Sequence, residues 1–158
     1  MKFLVDHMLG KLAKYLRFMG YDTYYPERGM DDDMLLQIAK KEGRIIITRD
    51  KELAKRSNGL YVASEDYIQQ LKIVIKTFNL NDEHMLSRCS ICNEILVPIE
   101  KDEVKDKVPP YVYEHNDEFY RCPKCGRIYW WGTHTQRIES TIREIMGDAN
   151  EDRREGER

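Results

Sequence analysis

The sequence predicts an α/β protein with a three-layer domain built on a parallel sheet, followed by a smaller domain rich in β-structure. Three observations support this. Short apolar runs alternate with segments of helical spacing over residues 1–84. The run "RIIIT" at 44–48 is apolar without alternation, as in a strand covered on both faces. Beyond residue 85, two C-x-x-C pairs replace the alternating pattern.

The elements of the first domain follow from local signals in chain order. The apolar residues of "MLGKLAKYLRFM" have helical spacing, and Gly20 follows as a stop signal. In "DDDMLLQIAKKEG", Asp31 or Asp32 serves as the helix cap and Gly43 ends the helix. The predicted strands are 3–5, 22–25, 44–48 and 60–63, and the predicted helices are 9–19, 31–42, 51–57 and 65–79.

The pattern changes near residue 85, where we place a domain boundary. Polar residues lead into short strands and turns around the cysteines, so 85–135 is predicted to be a zinc ribbon. Residues 136–147 have the spacing of a further helix, and 148–158 have the composition of a disordered tail.

Composition narrows the class of protein. Of the 158 residues, 34% are charged and 41% are hydrophobic, which is typical of a soluble globular protein. The net charge is −2 and no segment is a basic block, so any nucleic-acid binding depends on patterned charge. The first residues contain too short an apolar run for a signal peptide, and no run is long enough to span a bilayer. We expect a cytoplasmic protein.

The four cysteines predict a structural zinc site. Cys89 and Cys92 form one C-x-x-C pair, and Cys122 and Cys125 form the other, 29 residues further on. Each pair fits a tight turn that directs two thiolates at one Zn²⁺, and four thiolates complete a tetrahedron. Disulfides or redox dithiols are the alternative, which a cytoplasmic location disfavours.

Acidic residues follow three of the predicted strands. Asp6 comes directly after the first strand, Asp32 opens the helix after the second, and Asp50 follows the third. In a parallel sheet these positions share one edge, where ligands collect. The carboxylates would repel each other without a cation, so Mg²⁺ or Mn²⁺ is the natural partner, with Asp31 as a fallback ligand. Helix capping is an equally good explanation of each aspartate taken alone.

Three blocks, "FLVDHMLGKLAKYLRFMGYD", "DDDMLLQIAKKEGRIIITRD" and "RCSICNEIL…FYRCPKCGRIYWWGTH", resemble the PIN-like RNase family named for the C-terminal region of the mut-seven exonuclease. The resemblance covers roughly residues 1–140. It implies a Rossmann-like three-layer PIN-like fold with a fused zinc ribbon, and a divalent-metal-dependent endoribonuclease. The acidic positions of the family correspond to Asp6, Asp32 and Asp50, with Mg²⁺ or Mn²⁺ as the catalytic cofactor. A fourth acidic position, frequent in PIN nucleases, has no clear match.

Basic residues near these aspartates are candidate RNA contacts. Lys11 and Lys14 lie opposite the apolar stripe of the first helix, interleaved with aromatic residues, and Arg17 lies at the margin of the stripe. Arg49 adjoins Asp50 and either binds a phosphate or pairs with the carboxylates. An ordinary solvated helix face is the alternative for the lysines.

Several neighbouring residues have more than one interpretation. Thr48 is placed to hydrogen-bond a carboxylate, whereas His7 is predicted to pack away from Asp6. The aromatic residues of "RIYWWGTH" either stack on RNA bases or form the core of the ribbon, and packing is favoured. His134 is either a structural donor or a phosphate or proton contact.

The leading hypothesis is therefore an endoribonuclease that hydrolyses RNA phosphodiester bonds. The same order of domains resembles the endonuclease that matures small-subunit ribosomal RNA, so ribosomal and tRNA-related RNAs are candidate partners. The first alternative is a non-catalytic RNA- or protein-binding module on a PIN-like fold. The second is the toxin of a toxin–antitoxin pair, which the added ribbon disfavours.

Overall fold

A four-stranded parallel sheet organises the first half of the chain. The structure is a computed structural model that describes residues 1–156, apart from the side chains at 153 and 155. The strands lie in the order β2-β1-β3-β4. They are β1 (Lys2–Val5), β2 (Asp22–Tyr24), β3 (Ile45–Thr48) and β4 (Leu60–Tyr61). From β1 the chain first adds β2 on one side of it and then β3 and β4 on the other side. The strand order therefore reverses between β1 and β3, which we call the reversal point.

Helices cover both faces of this sheet, because successive residues of β1 and β3 point in opposite directions and those at their centres, Phe3, Leu4, Ile46 and Ile47, are apolar. The helices are α1 (Gly10–Phe18), α2 (Asp32–Glu42), α3 (Lys51–Ser57) and α4 (Tyr67–Phe78). Phe3 and Ile47 are buried in the core that includes α1 and α4. Leu4 and Ile46 are buried in the opposite core, with α2 and α3. The predicted three-layer α/β architecture is confirmed.

A small antiparallel sheet follows the first domain. Its strands are β5 (Val97–Ile99), β6 (Phe119–Arg121) and β7 (Ile128–Trp130). A 3₁₀ helix (Lys101–Val104) and α5 (Pro110–His115) are inserted between β5 and β6. Val104, Val108 and Phe119 form the core of this unit. The sequence predicts short strands in this region but not α5. The sequence signal for this helix is its first residue, Pro110, because proline is favoured at that position. The proposed boundary near residue 85 falls between the two sheets.

The last helix differs from the prediction. α6 runs over Thr133–Gly156, so it is longer than 136–147 and includes most of the segment expected to be disordered. Its apolar stripe joins the core of α1 and α4, through Ile138, Ile142, Ile145 and Ala149. Asp152 also pairs with Lys72 at 2.9 Å. The expected disorder at 157–158 lies outside the described residues. Across residues 1–156, no helix is long and apolar enough to cross a membrane.

Candidate functional site

Two of the predicted carboxylates lie at the reversal point of the sheet. Asp6 directly follows β1, and Asp50 lies two residues beyond β3. The strands β1 and β3 are hydrogen-bonded neighbours in the sheet. Asp32 is the first residue of α2, which follows β2 on the other side of β1. In open α/β sheets the crevice at such a reversal point is where ligands bind. The fold therefore places all three residues along one edge.

Thr48 fixes the position of Asp6. The Thr48 hydroxyl donates to Asp6 Oδ2 at 2.6 Å, and the backbone N–H of Asp50 donates to the same hydroxyl at 2.9 Å. The backbone N–H of Asp6 donates to the Ile47 carbonyl at 2.9 Å. Thr48 is fully buried, so its geometry is set by the sheet. The hydrogen bonds from β3 orient the carboxylate of Asp6 toward the edge.

The aspartates differ in whether they cap a helix. Asp31 is the N-cap of α2 and accepts from the backbone N–H of Met34 at 2.9 Å, which leaves Asp32 outside the cap. Asp50 caps α3 through Oδ1, which accepts from Glu52 at 2.8 Å and Leu53 at 3.2 Å. No described residue donates a hydrogen bond to Oδ2 of Asp50. Capping therefore uses one carboxylate oxygen of Asp31 and one of Asp50, and it does not involve Asp32.

Electrostatics indicate that the three carboxylates influence each other. Burial and the negative charges of Asp6 and Asp50 raise the pKa of Asp32 above its ordinary value. A nearby cation would relieve this repulsion. Within the described residues, however, only the four cysteines bring three or more potential ligand atoms within 4.8 Å of one another. Mg²⁺ in proteins keeps several waters and binds through one or two carboxylates, so it does not require so compact a group of ligands.

His7 lies beside Asp6, contrary to the predicted packing away from it. Its Nδ1 is 3.4 Å from Asp6 Oδ1, and its backbone N–H donates to the same oxygen at 2.7 Å. Nε2 of His7 is 3.2 Å from the carbonyl oxygen of Glu27. The strand ends at Val5, so the alternation of sides no longer applies to the two residues after it. His7 is a candidate functional residue that the strand pattern misses.

The predicted basic contacts separate into three groups. Lys11 and Lys14 are exposed on α1, with their ammonium groups over the rings of Tyr67 and Phe18. Arg49 points away from Asp50. Its guanidinium instead contacts the carbonyl of Ala63 and the carboxylate of Glu65, at 3.4 and 3.5 Å.

Arg17 is buried and bonded to the protein itself, unlike the exposed position that the helical pattern predicts. Its guanidinium donates to the carbonyls of Thr23 at 2.9 Å, Ser90 at 3.0 Å and Ile91 at 3.1 Å. Burial lowers the pKa of Arg17, and the negative charge of the Cys89 thiolate acts in the opposite direction. Arg17 therefore joins α1 to the first C-x-x-C turn and faces its thiolates.

We expect Arg17→Leu to lower the free energy of unfolding by about 3 kcal/mol, because one buried and two partly buried carbonyls lose their donor. The loosened turn should also release zinc at a lower chelator concentration. Urea unfolding and zinc competition would measure the two effects. Lys11→Leu on the exposed face of the same helix is the control, and equal effects of both substitutions would contradict the structural role of Arg17.

The four cysteines form a centre that fits zinc. Their sulfur atoms all lie within 4.8 Å of one another, and those of Cys89 and Cys125 are 3.9 Å apart. Four sulfurs at the usual zinc–sulfur distance would be about 3.8 Å apart. Burial and contacts with Cys125 and Cys122 raise the pKa of Cys92 to about 12, so the four thiolates need a cation to coexist. All four ligands come from the protein, as in structural zinc sites.

Hydrogen bonds around the cysteines support the same interpretation. Tyr129 donates its hydroxyl to the Cys89 sulfur at 3.1 Å, and the backbone N–H groups of Cys92 and Cys125 point at Cys89 and Cys122. Burial raises the pKa of Cys89, but the hydrogen bond from Tyr129 and bonds from neighbouring groups lower it to about 7. Such outer contacts orient ligands around a metal.

Asn93 attaches the first cysteine turn to the parallel sheet. It has φ 66°, in the left-handed region that such a turn requires. Its amide donates to Asp22 at 2.7 Å and its carbonyl oxygen accepts from the backbone N–H of Thr23 at 2.9 Å. Arg44 also donates to Asp22 at 2.8 Å. Asn93 thus covers part of the edge strand β2 as well as completing the turn.

The aromatic residues after the second cysteine pair have different environments. Tyr129 contacts the zinc centre, and Trp130 packs against the small core of the ribbon. Trp131 is 48% exposed, and His134 lies exposed in the first turn of α6. The favoured packing role therefore applies to the first two residues, and RNA stacking by Trp131 stays a prediction.

Comparison with known proteins gives two matches. The model of a family described as the Mut7-C RNAse domain matches residues 1–142. The "Exonuclease mut-7 homolog" of Homo sapiens is 34% identical over an alignment of 97 residues, and the alignment covers 56% of this chain and 11% of that protein. The chain therefore corresponds to a small part of this relative. No solved structure matches the chain.

Proposed function

The chain belongs to the Mut7-C RNase domain family, and on that premise we propose that it is a divalent-metal-dependent endoribonuclease. The observation that carries the proposal is the arrangement of Asp6, Asp32 and Asp50 along one edge of the parallel sheet, with Asp6 and Asp50 at its reversal point. An RNase domain family supports RNA as the substrate. The site for zinc supports a second, structural role for metal in the ribbon.

In this mechanism each residue of the edge has a defined task. Asp6 and Asp32 would hold Mg²⁺ or Mn²⁺, together with Oδ2 of Asp50, the oxygen that the α3 cap does not use. Thr48 keeps the carboxylate of Asp6 in a fixed orientation through its hydroxyl. When bound, the ion supplies Lewis-acid stabilisation of the negative charge that develops on the phosphodiester.

His7 is placed to act beside this edge. Its Nδ1 lies near Asp6, so a protonated imidazole would be held by the carboxylate. A protonated histidine at that position can donate a hydrogen bond from Nε2 to a phosphate oxygen or to the leaving oxygen when Nε2 gives up its contact with the Glu27 carbonyl. We propose a phosphate-binding or proton-donating role for His7 within the same site.

A second candidate function is a binding module without turnover. The observation that favours it is that, among the described residues, the three carboxylates do not form a compact group of potential metal ligands, as the four cysteines do. A weak metal site combined with an intact RNA surface would produce such a protein. RNA binding would then persist in variants of the carboxylates.

The test is cleavage of RNA by zinc-loaded protein with Mn²⁺, Mg²⁺ or no added divalent ion. Omitting the ion is better than adding a chelator, because a chelator would also remove zinc from the ribbon. A circular single-stranded RNA has no ends, so its cleavage separates endonuclease from exonuclease activity. We expect metal-dependent opening of the circle by the wild-type protein.

The control is the double variant Asp6→Asn/Asp50→Asn, in which asparagine preserves the cap of α3. It should stay folded and inactive. Cleavage that continues in the folded variant would place the activity elsewhere. Cleavage of linear RNA alone would indicate an exonuclease, and RNA binding without any cleavage would favour the binding module.

A further inference from the structure

A cleft of about 290 Å³ lies between α1 and the first cysteine turn. One wall comes from the first domain and the other from the ribbon. Its lining includes Gly10, Lys14 and Tyr25 on one side, and Ser90, Ile91 and Arg127 on the other. The cleft is separate from the carboxylates, and it exists only because Arg17 and Asn93 hold the turn against α1 and β2.

The charge of the cleft is positive. Lys14 and Arg127 are exposed cations from different domains, and no acidic side chain belongs to the lining. The buried guanidinium of Arg17 adds to the positive potential, while its hydrogen bonds go to backbone carbonyls. In a chain with a net charge of −2, this local concentration of cations favours an anionic ligand.

Tyr25, in the lining of the cleft, lies next to the carboxylate edge. The ring of Tyr25 meets the ring of His7 edge-on, with 6.5 Å between centroids, and His7 adjoins Asp6. At Gly10 a Cβ atom would lie 3.4 Å from the Tyr25 hydroxyl, so a larger residue would narrow this end of the cleft. A polymer at the edge can thus extend past Tyr25 toward Lys14 without leaving the surface.

We propose that this cleft binds the phosphodiester backbone of the single-stranded RNA on one side of the cleavage position. Lys14 and Arg127 would contact phosphates, and Tyr25 would contact the sugar or base between them and the carboxylates. A positive groove with an aromatic side chain is the usual form of a single-strand site. The inference rests on the proposed nuclease function and assigns the ribbon a direct share in substrate binding.

The test measures RNA affinity as a function of salt. The probe is a fluorescently labelled single-stranded RNA, and the protein is the full-length, zinc-loaded Asp6→Asn/Asp50→Asn variant, which does not consume the probe. Lys14→Gln and Arg127→Gln are each expected to weaken binding several-fold for all sequences. Each should also reduce the slope of log affinity against log salt by about 0.7, the value for one phosphate contact in a single strand.

Two matched variants complete the experiment. Lys41→Gln removes an exposed lysine from α2, on the opposite layer, and should change neither affinity nor slope. Arg127→Lys keeps the charge and should retain most of the slope. Circular dichroism and zinc content establish that all variants are folded, as expected for exposed positions.

The outcomes separate this inference from the proposed function. Unchanged slopes in both glutamine variants would overturn the cleft assignment, and so would absence of RNA binding by the parent protein. In either case the cleavage assay on the wild-type protein decides independently whether the nuclease proposal survives. Reduced slopes without metal-dependent cleavage would support the cleft and reject the nuclease.

Discussion

Cys122→Ser is expected to unfold the ribbon and to destabilise the parallel-sheet domain at the same time. The substitution removes one of the four proposed zinc ligands, and structural zinc contributes roughly 10 kcal/mol or more to the folding of small domains. The core of the ribbon contains few buried residues, with Val104, Val108 and Phe119 at its centre. So small a core does not compensate for the loss of the metal.

The effect should reach the first domain through the first cysteine turn. Arg17 donates to two carbonyls of this turn, and Asn93 forms two hydrogen bonds with β2. When the turn loses its shape, these bonds are lost and the buried Arg17 is left without two of its acceptors. We expect the first domain to lose on the order of 3 kcal/mol.

Two spectroscopic signals distinguish the domains. Both tryptophans of the chain lie in the ribbon, because Trp130 is the last residue of β7 and Trp131 follows it. Their fluorescence therefore reports on that unit. Far-ultraviolet circular dichroism reports chiefly on the helices that surround the parallel sheet. In Cys122→Ser we expect the fluorescence of an unfolded ribbon, and a cooperative helical transition at a lower urea concentration.

Lys124→Ser is the matched control, because it changes an exposed residue inside the same cysteine turn. It should leave both signals as in the wild-type protein. A normal tryptophan spectrum in Cys122→Ser would mean that the ribbon folds without zinc. An unchanged helical transition would mean that the contacts of Arg17 and Asn93 contribute little to the first domain.

The features that the sequence predicts correctly are those determined over short distances. The isoleucines of β3 indicate a strand covered on both faces, and the strand ends locate Asp6 and Asp50. The two C-x-x-C pairs define the four-cysteine cluster by spacing alone. The strand signals lie within a few residues of the features that they predict, and each cysteine pair is a local signal for one half of the cluster.

The features that the sequence misses depend on distant parts of the chain. A helical wheel places Arg17 at the margin of the apolar stripe, but its partners Ser90 and Ile91 lie more than 70 residues away. The cleft beside Lys14 likewise requires Arg127 from the ribbon. Such contacts follow from how the two domains pack, which no local pattern encodes. The length of α6 has a local signal, since Ala149 continues its apolar stripe. The many charged residues around Ala149 make this signal hard to recognise.

Asp31 and Asp32 allow a direct separation of helix capping from metal binding, since they are adjacent and can receive the same substitution. Asp31→Ala removes the cap of α2 and should cost about 1 kcal/mol of stability with little effect on cleavage. Asp32→Ala removes a proposed metal ligand outside the cap. Substitution of residues that only hydrogen-bond to metal ligands typically lowers activity or metal affinity 10- to 100-fold. For loss of a ligand itself we expect cleavage to fall on the order of 100-fold or more.

In zinc-loaded protein without Mg²⁺ or Mn²⁺, Asp32→Ala should not lower stability as Asp31→Ala does. Burial and the charges of Asp6 and Asp50 raise the pKa of Asp32, which means that its ionised form opposes folding. Asp32→Ala should therefore be at least as stable as the wild-type protein at neutral pH. The difference should disappear as the pH falls through the raised pKa and the carboxyl group of the wild-type protein is protonated. Urea unfolding of both proteins over this pH range measures the effect.

Addition of Mn²⁺ provides the decisive comparison. A ligand that binds only the folded state stabilises it, so Mn²⁺ should raise the unfolding temperature of the wild-type and Asp31→Ala proteins. The same addition should have a much smaller effect on Asp32→Ala. If Asp31→Ala is the variant that loses both cleavage and the response to Mn²⁺, Asp31 is the ligand and the assignment of Asp32 is wrong. If both variants respond and cleave normally, the metal does not bind at α2, because neither carboxylate at the start of that helix is then required.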